Sequence, residues 1–357
     1  MNFKKYISFP LLLFIPLSVA ADALHWGDLV VFITSAIAIA PLAIWLSTAT
    51  EELALALGPA VGGLLNALFG NATELIIALV ALRQGLVEIV KASITGSILG
   101  DLLLVLGLAM FWGGLKFKEQ EFQKIVVRVS APTMALAVTA IALPTIVINT
   151  SQVVDPVAIT NLSIIAAAVL MIVYGLTLLF SLKTHSYLYD VGMISQPNPN
   201  LVKPTHIGMW VGVLVVSTLG VAIESDLFVG VVESVTNTFG LTPLFTGVIL
   251  LPLLGDIAGY VTAVRVATQN NMDLTVSIAL GSSLLVALFV APVLVLVGQW
   301  MGQPMDLNFN PFEVIAIVIA ITVANLISLS GRSNWLDGAL LLATYIVLGV
   351  AFYYHPA

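Results

Sequence analysis

Apolar runs of about 20 residues recur along the whole chain, separated by short stretches that carry its charges and many of its glycines and prolines. That is the length a helix needs to cross the hydrocarbon core of a bilayer. The pattern predicts ten spans, at roughly 28–46, 57–82, 88–113, 126–148, 157–182, 207–232, 242–266, 272–298, 311–330 and 333–353. Ahead of them, MNFKKYISFPLLLFIPLSVAADA has a basic start, a short apolar core and the small residues Val19, Ala20 and Ala21. It reads either as a signal peptide or as a short first transmembrane helix that stays. Both readings put residue 24 on the outer side.

The longest polar stretch, around 182–206, divides the spans five and five. With the N-terminus inside, ten basic residues fall inside (Lys4, Lys5, Lys116, Lys118, Lys124, Arg128, Lys183, Lys203, Arg265 and Arg332) and two, Arg83 and Lys91, fall outside. A split this uneven follows the positive-inside bias and supports the count of spans.

Five spans per half is an odd number, so related halves must be inverted in the membrane. A shift of 185 residues lays 62–113 on 247–298 with 12 identities in 52 positions, among them Gly62/Gly247, Gly70/Gly255, Gly96/Gly281, Ser97/Ser282 and Gly113/Gly298. Upstream, Glu51 and Gly58 correspond to Glu233 and Gly240 after a three-residue slip. The expected architecture is an all-α polytopic transmembrane bundle: a leader over 1–26, a first five-helix repeat over 27–183, a cytoplasmic linker over 184–206, and an inverted second repeat over 207–357. Secondary transporters built this way place their site at the midplane between the repeats.

Composition narrows the chemistry. The chain has 357 residues, 60% of them hydrophobic and 9% charged, against roughly 25% charged in soluble domains. It has no cysteine, which excludes disulfides and thiolate metal sites. The net charge of −7 comes with no basic patch, so nucleic acid is not an expected partner, whereas membrane lipid is. No Walker-type loop is present to cradle a nucleotide, and no cofactor is expected.

Few polar residues lie inside the spans. In GNATEL, Gly70 opens the segment, and Asn71 and Glu74 share a helix face. Unwound carbonyls beside a carboxylate suit a hard cation such as Ca²⁺; the plainer alternative is a polar helix-packing contact. In TGSILGDLLLVLG, Gly96 and Ser97 also fit small-residue helix packing, while Asp101 sits too deep for its short side chain to reach water. In GDIAGY, Gly255 and Asp256 follow Pro252, which removes a backbone donor. Broken helices at depth are tolerated where they line a cavity or are buried in protein. Glu224, Asp226 and Glu233, near the outer end of one span, read either as a solvated rim or as a cation-attracting vestibule. His185 and His206 lie in the inner linker.

The run GPAVGGLLNALFGNATELIIALVAL, followed by GSILGDLLLVLG and FSLKTHSYLYD, resembles the calcium/proton exchanger (CAX) family of the calcium/cation antiporters, a likeness that runs from about residue 50 to 300. The resemblance implies a leading helix plus two inverted sets of five. It also implies a cation site between two glycine-started motifs, each supplying a glutamate. Glu74 and Asn71 match the glutamate and asparagine of the first motif. The second motif, usually similar to GNAAEH, here has Asp256 in the asparagine position and Gly259 in place of the glutamate. Asp101 and Val286 stand where the family tends to have amides. The acidic helix that many relatives carry between the halves is missing.

The expected function is exchange of Ca²⁺, or a similar divalent cation, for H⁺ by alternating access, without enzyme chemistry. A carboxylate in a low-dielectric site favours its proton, so a bound cation and protons compete for it. Glu74 and Asp256 are the principal pair, and Asp101 is a third ligand or a proton relay. Gly70, Asn71, Ser97, Gly255 and Ser282 complete the candidate site. Competing readings are an antiporter of altered ion choice (Mn²⁺ or Na⁺), a non-transporting relative and, remotely, an intramembrane aspartyl protease built on Asp101 and Asp256. Absence of cysteines and the leader fit a bacterial cytoplasmic membrane.

Overall fold

The computed structural model describes residues 10–151, 155–185 and 206–355. Most of the expected linker, 186–205, and the basic start of the leader therefore lie outside the described residues. The leader helix α1 spans Phe14–Ala23. The first repeat comprises α2 (Asp28–Gly58), the broken α3 (59–69 then Ala72–Arg83), α4 (Val87–Phe117), α5 (Lys124–Ser151) and α6 (Val157–Thr184). The second comprises α7 (Ile207–Thr238), the broken α8 (Pro243–Gly255 then Ile257–Ala267, bent by 63°), α9 (Met272–Met301), α10 (Pro311–Ser328) and α11 (Trp335–Tyr354). The chain is an integral membrane protein of two inverted five-helix repeats.

One boundary differs from the sequence expectation. The inner loop expected near 47–56 is helix: α2 continues to Gly58, where the backbone turns at φ 82°, ψ 174°. Thr48 and Thr50 sustain the helix, their hydroxyls donating to the carbonyls of Ile44 (2.7 Å) and Leu46 (2.9 Å). The inverted counterpart of this turn is Gly240, at φ 67°. Only glycine takes such angles without strain, which accounts for the matching glycines.

The repeat extends to irregularities that hydropathy does not report. α4 widens to a π-helix over Gly100–Val105, and α9 does so over Val286–Val290. These segments correspond at the 185-residue shift. Such widenings concentrate at functional sites. Gly85 and Asn270, also 185 apart, end the two broken helices with φ of 81° and 62°.

α2 and α7 run side by side, with Phe32 stacked on Phe228 at 4.8 Å and Leu42 filling the space over Gly220. α1 lies against both. α4 crosses α8 where both backbones are bare: a β-carbon on Gly96 would overlap the Val248 carbonyl, and one on Gly247 would overlap Ala92. The apolar core, including Leu99, Leu102, Leu106, Val276, Leu280 and Leu294, lies among α4, α8, α9 and their neighbours.

Two features depart from an all-helical bundle. Glu119–Glu121 (β1) pairs antiparallel with Arg332–Asn334 (β2) at one end of the bundle, with Arg332 bridging Glu119 at 3.2 Å and Glu121 at 3.0 Å. These residues lie between apolar runs, where the chain is free to extend. Between α9 and α10, 302–310 forms a strap with Met305, Leu307 and Phe309 buried. Ser163 Oγ accepts from the Leu307 amide (2.9 Å), and Thr145 Oγ1 from that of Phe309 (2.9 Å).

Candidate cation site

The site lies where the two helix breaks meet α4 and α9. At the first break, helix 59–69 stops and Asn71 caps the next segment with φ −117°, ψ 32°. Glu74 follows in the first turn of Ala72–Arg83, where a carboxylate also faces the positive end of the helix dipole. It is 8% exposed, and both its oxygens are engaged. Asn71 Nδ2 donates to Oε2 at 2.9 Å, and Ser97 Oγ donates to Oε1 at 2.9 Å. Asn71 Nδ2 also donates to Ser282 Oγ of α9 at 2.8 Å, linking the repeats.

At the second break Asp256 takes the capping place, with φ −113°, ψ 25°. Gly255 permits the approach of the two motifs: a β-carbon there would lie 2.6 Å from Glu74 Cγ. The Asp256 carboxylate lies back over Gly259, where its two oxygens fill the place a β-carbon would take. Asp101 is 2% exposed, in the π-helical turn of α4, and Ser283 Oγ donates to its Oδ2 at 3.3 Å.

The eight residues singled out from the sequence (Gly70, Asn71, Glu74, Ser97, Asp101, Gly255, Asp256 and Ser282) thus come together around these two breaks. Two neighbours were missed. Ser283 stands beside Ser282, and only the phase of α9 reveals that both serines face the acids. Tyr260 OH donates to the Pro252 carbonyl at 3.1 Å, covering an acceptor at the second break. Among the described residues, no group of three His, Cys, Asp or Glu side chains is arranged to hold a metal ion by itself. A cation here would draw on carboxylates, hydroxyls, the Asn71 amide oxygen and backbone carbonyls, the oxygen set that Ca²⁺ accepts.

The acids expected at an outer rim separate. Asp226 is at the surface, paired with Arg83 at 2.6 Å. Glu224 is fully buried and accepts from Ser18 Oγ of α1 at 2.8 Å, so neither rim nor vestibule describes it. It points to the leader because α1 occupies that face of α7.

The two halves are covered unequally. Val61, Leu64 and Leu68 in the first half-helix of α3 are 52%, 49% and 53% exposed. In the matching half-helix of α8, Thr246, Gly247, Val248 and Leu251 are buried beneath α4. Gly70 is exposed and Gly255 is buried. Gly96 is tightly packed, yet its counterpart Gly281 has open space over it.

The sequence model of the sodium/calcium exchanger protein family matches residues 27–183 and 209–354. The chain is 55% identical to a Ca²⁺/H⁺ antiporter of Aphanothece halophytica, over 99% of this chain and 98% of that protein. It is 54% identical to one of Synechocystis sp., over 100% and 99%. Among solved structures it is similar to native YfkE, with a TM-score of 0.84, 36% identity, and 98% of this chain and 100% of that one covered. The H⁺/Ca²⁺ exchanger CAX shares the fold, with a TM-score of 0.73 at 13% identity over 99% of this chain and 92% of that one.

Proposed function

Because this chain belongs to the sodium/calcium exchanger family, we propose that it exchanges Ca²⁺ for H⁺ across a membrane. The observation that carries the reading is the close approach of Glu74, from one repeat, to Gly255 at the break of the other, next to the hydroxyls of Ser97 and Ser283 that bond Glu74 and Asp101. Carboxylates contributed from both repeats bind either a divalent cation or protons. When M²⁺ enters from one side it displaces protons, and protonation on the other side releases it. Glu74 is the first cation ligand. Asn71 and Ser97 hold its oxygens in place, and Ser283 does the same for Asp101. Asp101 and Asp256 supply the charge that the second motif lacks at 259.

Alternating access follows from the inverted repeat. Related half-helices are covered on one side of the site and bare on the other, and exchanging their roles exposes the site to the opposite side. No covalent step is needed. The distribution of basic residues supports an N-terminus inside, and the relatives named above support a bacterial cytoplasmic membrane. Gly259 and Asp256 favour a second reading, in which the same antiport runs with altered preference between Ca²⁺ and Mn²⁺.

The test is uptake of radiolabelled Ca²⁺ into vesicles holding the purified chain under an imposed pH gradient. Gradient-dependent uptake, abolished by Glu74→Gln, is expected. Absence of gradient-driven uptake of Ca²⁺ and Mn²⁺ alike would overturn the proposal.

A further inference from the structure

Gly259 holds, 185 residues on, the place that Glu74 holds in the first repeat. Its backbone is not in the left-handed region, so conformation does not call for glycine. Inside a helix, glycine is about 0.5–1 kcal/mol less favourable than alanine. What the missing side chain provides is space: a β-carbon at 259 would fall on both carboxylate oxygens of Asp256. The two breaks begin from one backbone geometry and then diverge. Asn71 reaches Glu74, three residues along, with its amide. Asp256 instead folds its carboxylate back over the equivalent residue. Each glycine of the second motif accommodates one acid, Gly255 that of Glu74 and Gly259 that of Asp256.

We propose that Gly259 is a specificity-determining residue of the divalent-cation site, because a side chain at 259 and the Asp256 carboxylate in its present place exclude one another. The second repeat therefore offers its acid from 256 or from 259, never from both. Delivery from 256 sets the carboxylate one turn earlier, on a side chain one methylene shorter. This inference rests on the cation-site reading above and adds that residues 256 and 259 act as one unit.

The experiment compares the full chain with Gly259→Ala, Asp256→Asn, Gly259→Glu and the double variant D256N/G259E, by equilibrium binding of Ca²⁺ and of Mn²⁺ in detergent and by pH-driven uptake per folded molecule. Gly175→Ala, with open space over it in α6, is the folding control. Gly259→Ala is expected to weaken Ca²⁺ binding by about tenfold or more, as loss of a ligand's supporting contacts does. Asp256→Asn should weaken binding when residue 259 is glycine and strengthen it when residue 259 is glutamate, and the double variant should alter the Ca²⁺ to Mn²⁺ ratio. If Gly259→Ala recovers folded yield when Asp256→Ala is also present, the same exclusion is read from yield. Wild-type affinity in Gly259→Ala, or an equal loss from Asp256→Asn in both backgrounds, overturns the proposal. A wild-type chain that binds and transports no divalent cation overturns the exchanger reading instead, and the folded yield of Gly259→Ala with and without Asp256→Ala then still decides the steric claim.

Discussion

Asn71 and Asp256, 185 residues apart, cap the two broken helices with nearly the same backbone angles, φ −117°, ψ 32° and φ −113°, ψ 25°. Their side chains do opposite things. The Asn71 amide donates to Glu74 and to Ser282. The Asp256 carboxylate can only accept. One position organises an acid and the other is an acid.

Replacing Asn71 should therefore be graded. Asn71→Ala removes a donor to a carboxylate, a bond worth about 1.5–3 kcal/mol, so Ca²⁺ binding should weaken by about tenfold or more. Asn71→Asp also sets a charge against Glu74 Oε2 and should be worse than alanine in equilibrium binding. Equal affinities for the two variants would mean that the amide does not organise Glu74.

Gly96 and Gly281 are repeat partners in different surroundings. Gly96→Ala drives a methyl group into the Val248 carbonyl and Pro252 and should lower folded yield and thermal midpoint, since overpacking costs about 1–3 kcal/mol. Gly281→Ala enters open space and should fold normally. If the repeats exchange roles during transport, Gly281 becomes the packed partner. Gly281→Ala should then slow turnover while leaving the thermal midpoint unchanged, a separation that stopped-flow uptake and thermal unfolding measure together.

Lys91 is buried at 6% exposure near the N-terminal end of α4, where its Nζ donates to Asp306 Oδ1 at 2.6 Å and to the Asn308 carbonyl at 3.0 Å. This pins the strap 302–310 to the helix that carries Ser97 and Asp101. Asp306→Ala leaves the buried ammonium only the exposed Glu88, 3.8 Å away, as a counterion. Such losses run to about 3–5 kcal/mol when fully buried, and the partial exposure of Asp306 lowers the expectation to about 2 kcal/mol. Thermal unfolding in detergent should show a clear drop, and adding Lys91→Met should recover part of it.

The fold was legible from the chain because the bilayer makes hydropathy nearly sufficient. The helical membrane architecture, the break at Gly255 and the inverted pairing follow from apolar runs and paired glycines, while among the described residues eight helices, or nine with the bent pair, are long and apolar enough to cross a membrane, against the ten spans expected. The Gly58 turn was misplaced because the helix-forming run 47–57 carries polar residues that look like a loop, while their hydroxyls bond back to the helix. Glu74, Asp101 and Asp256 stood out because charge inside a span is rare. Ser283, the burial of Glu224 against Ser18, and the Lys91–Asp306 pair depend on contacts between residues far apart in the chain, and no local pattern reports those. Gly259 was visible as a gap in a motif, but only the coordinates show that the neighbouring acid fills it.

The π-helical turns at Gly100–Val105 and Val286–Val290 make residue count itself a coordinate of the site. An α-helix turns about 100° per residue, so one extra residue in a wide turn resets the phase of everything beyond it. Deleting a single leucine from 102–104 would leave α4 as apolar and nearly as long, yet would rotate Ser97 away from Glu74 relative to the rest of the helix. The spacing from Ser97 to Gly113, repeated from Ser282 to Gly298, thus works as a vernier between the cation ligands and the helix ends.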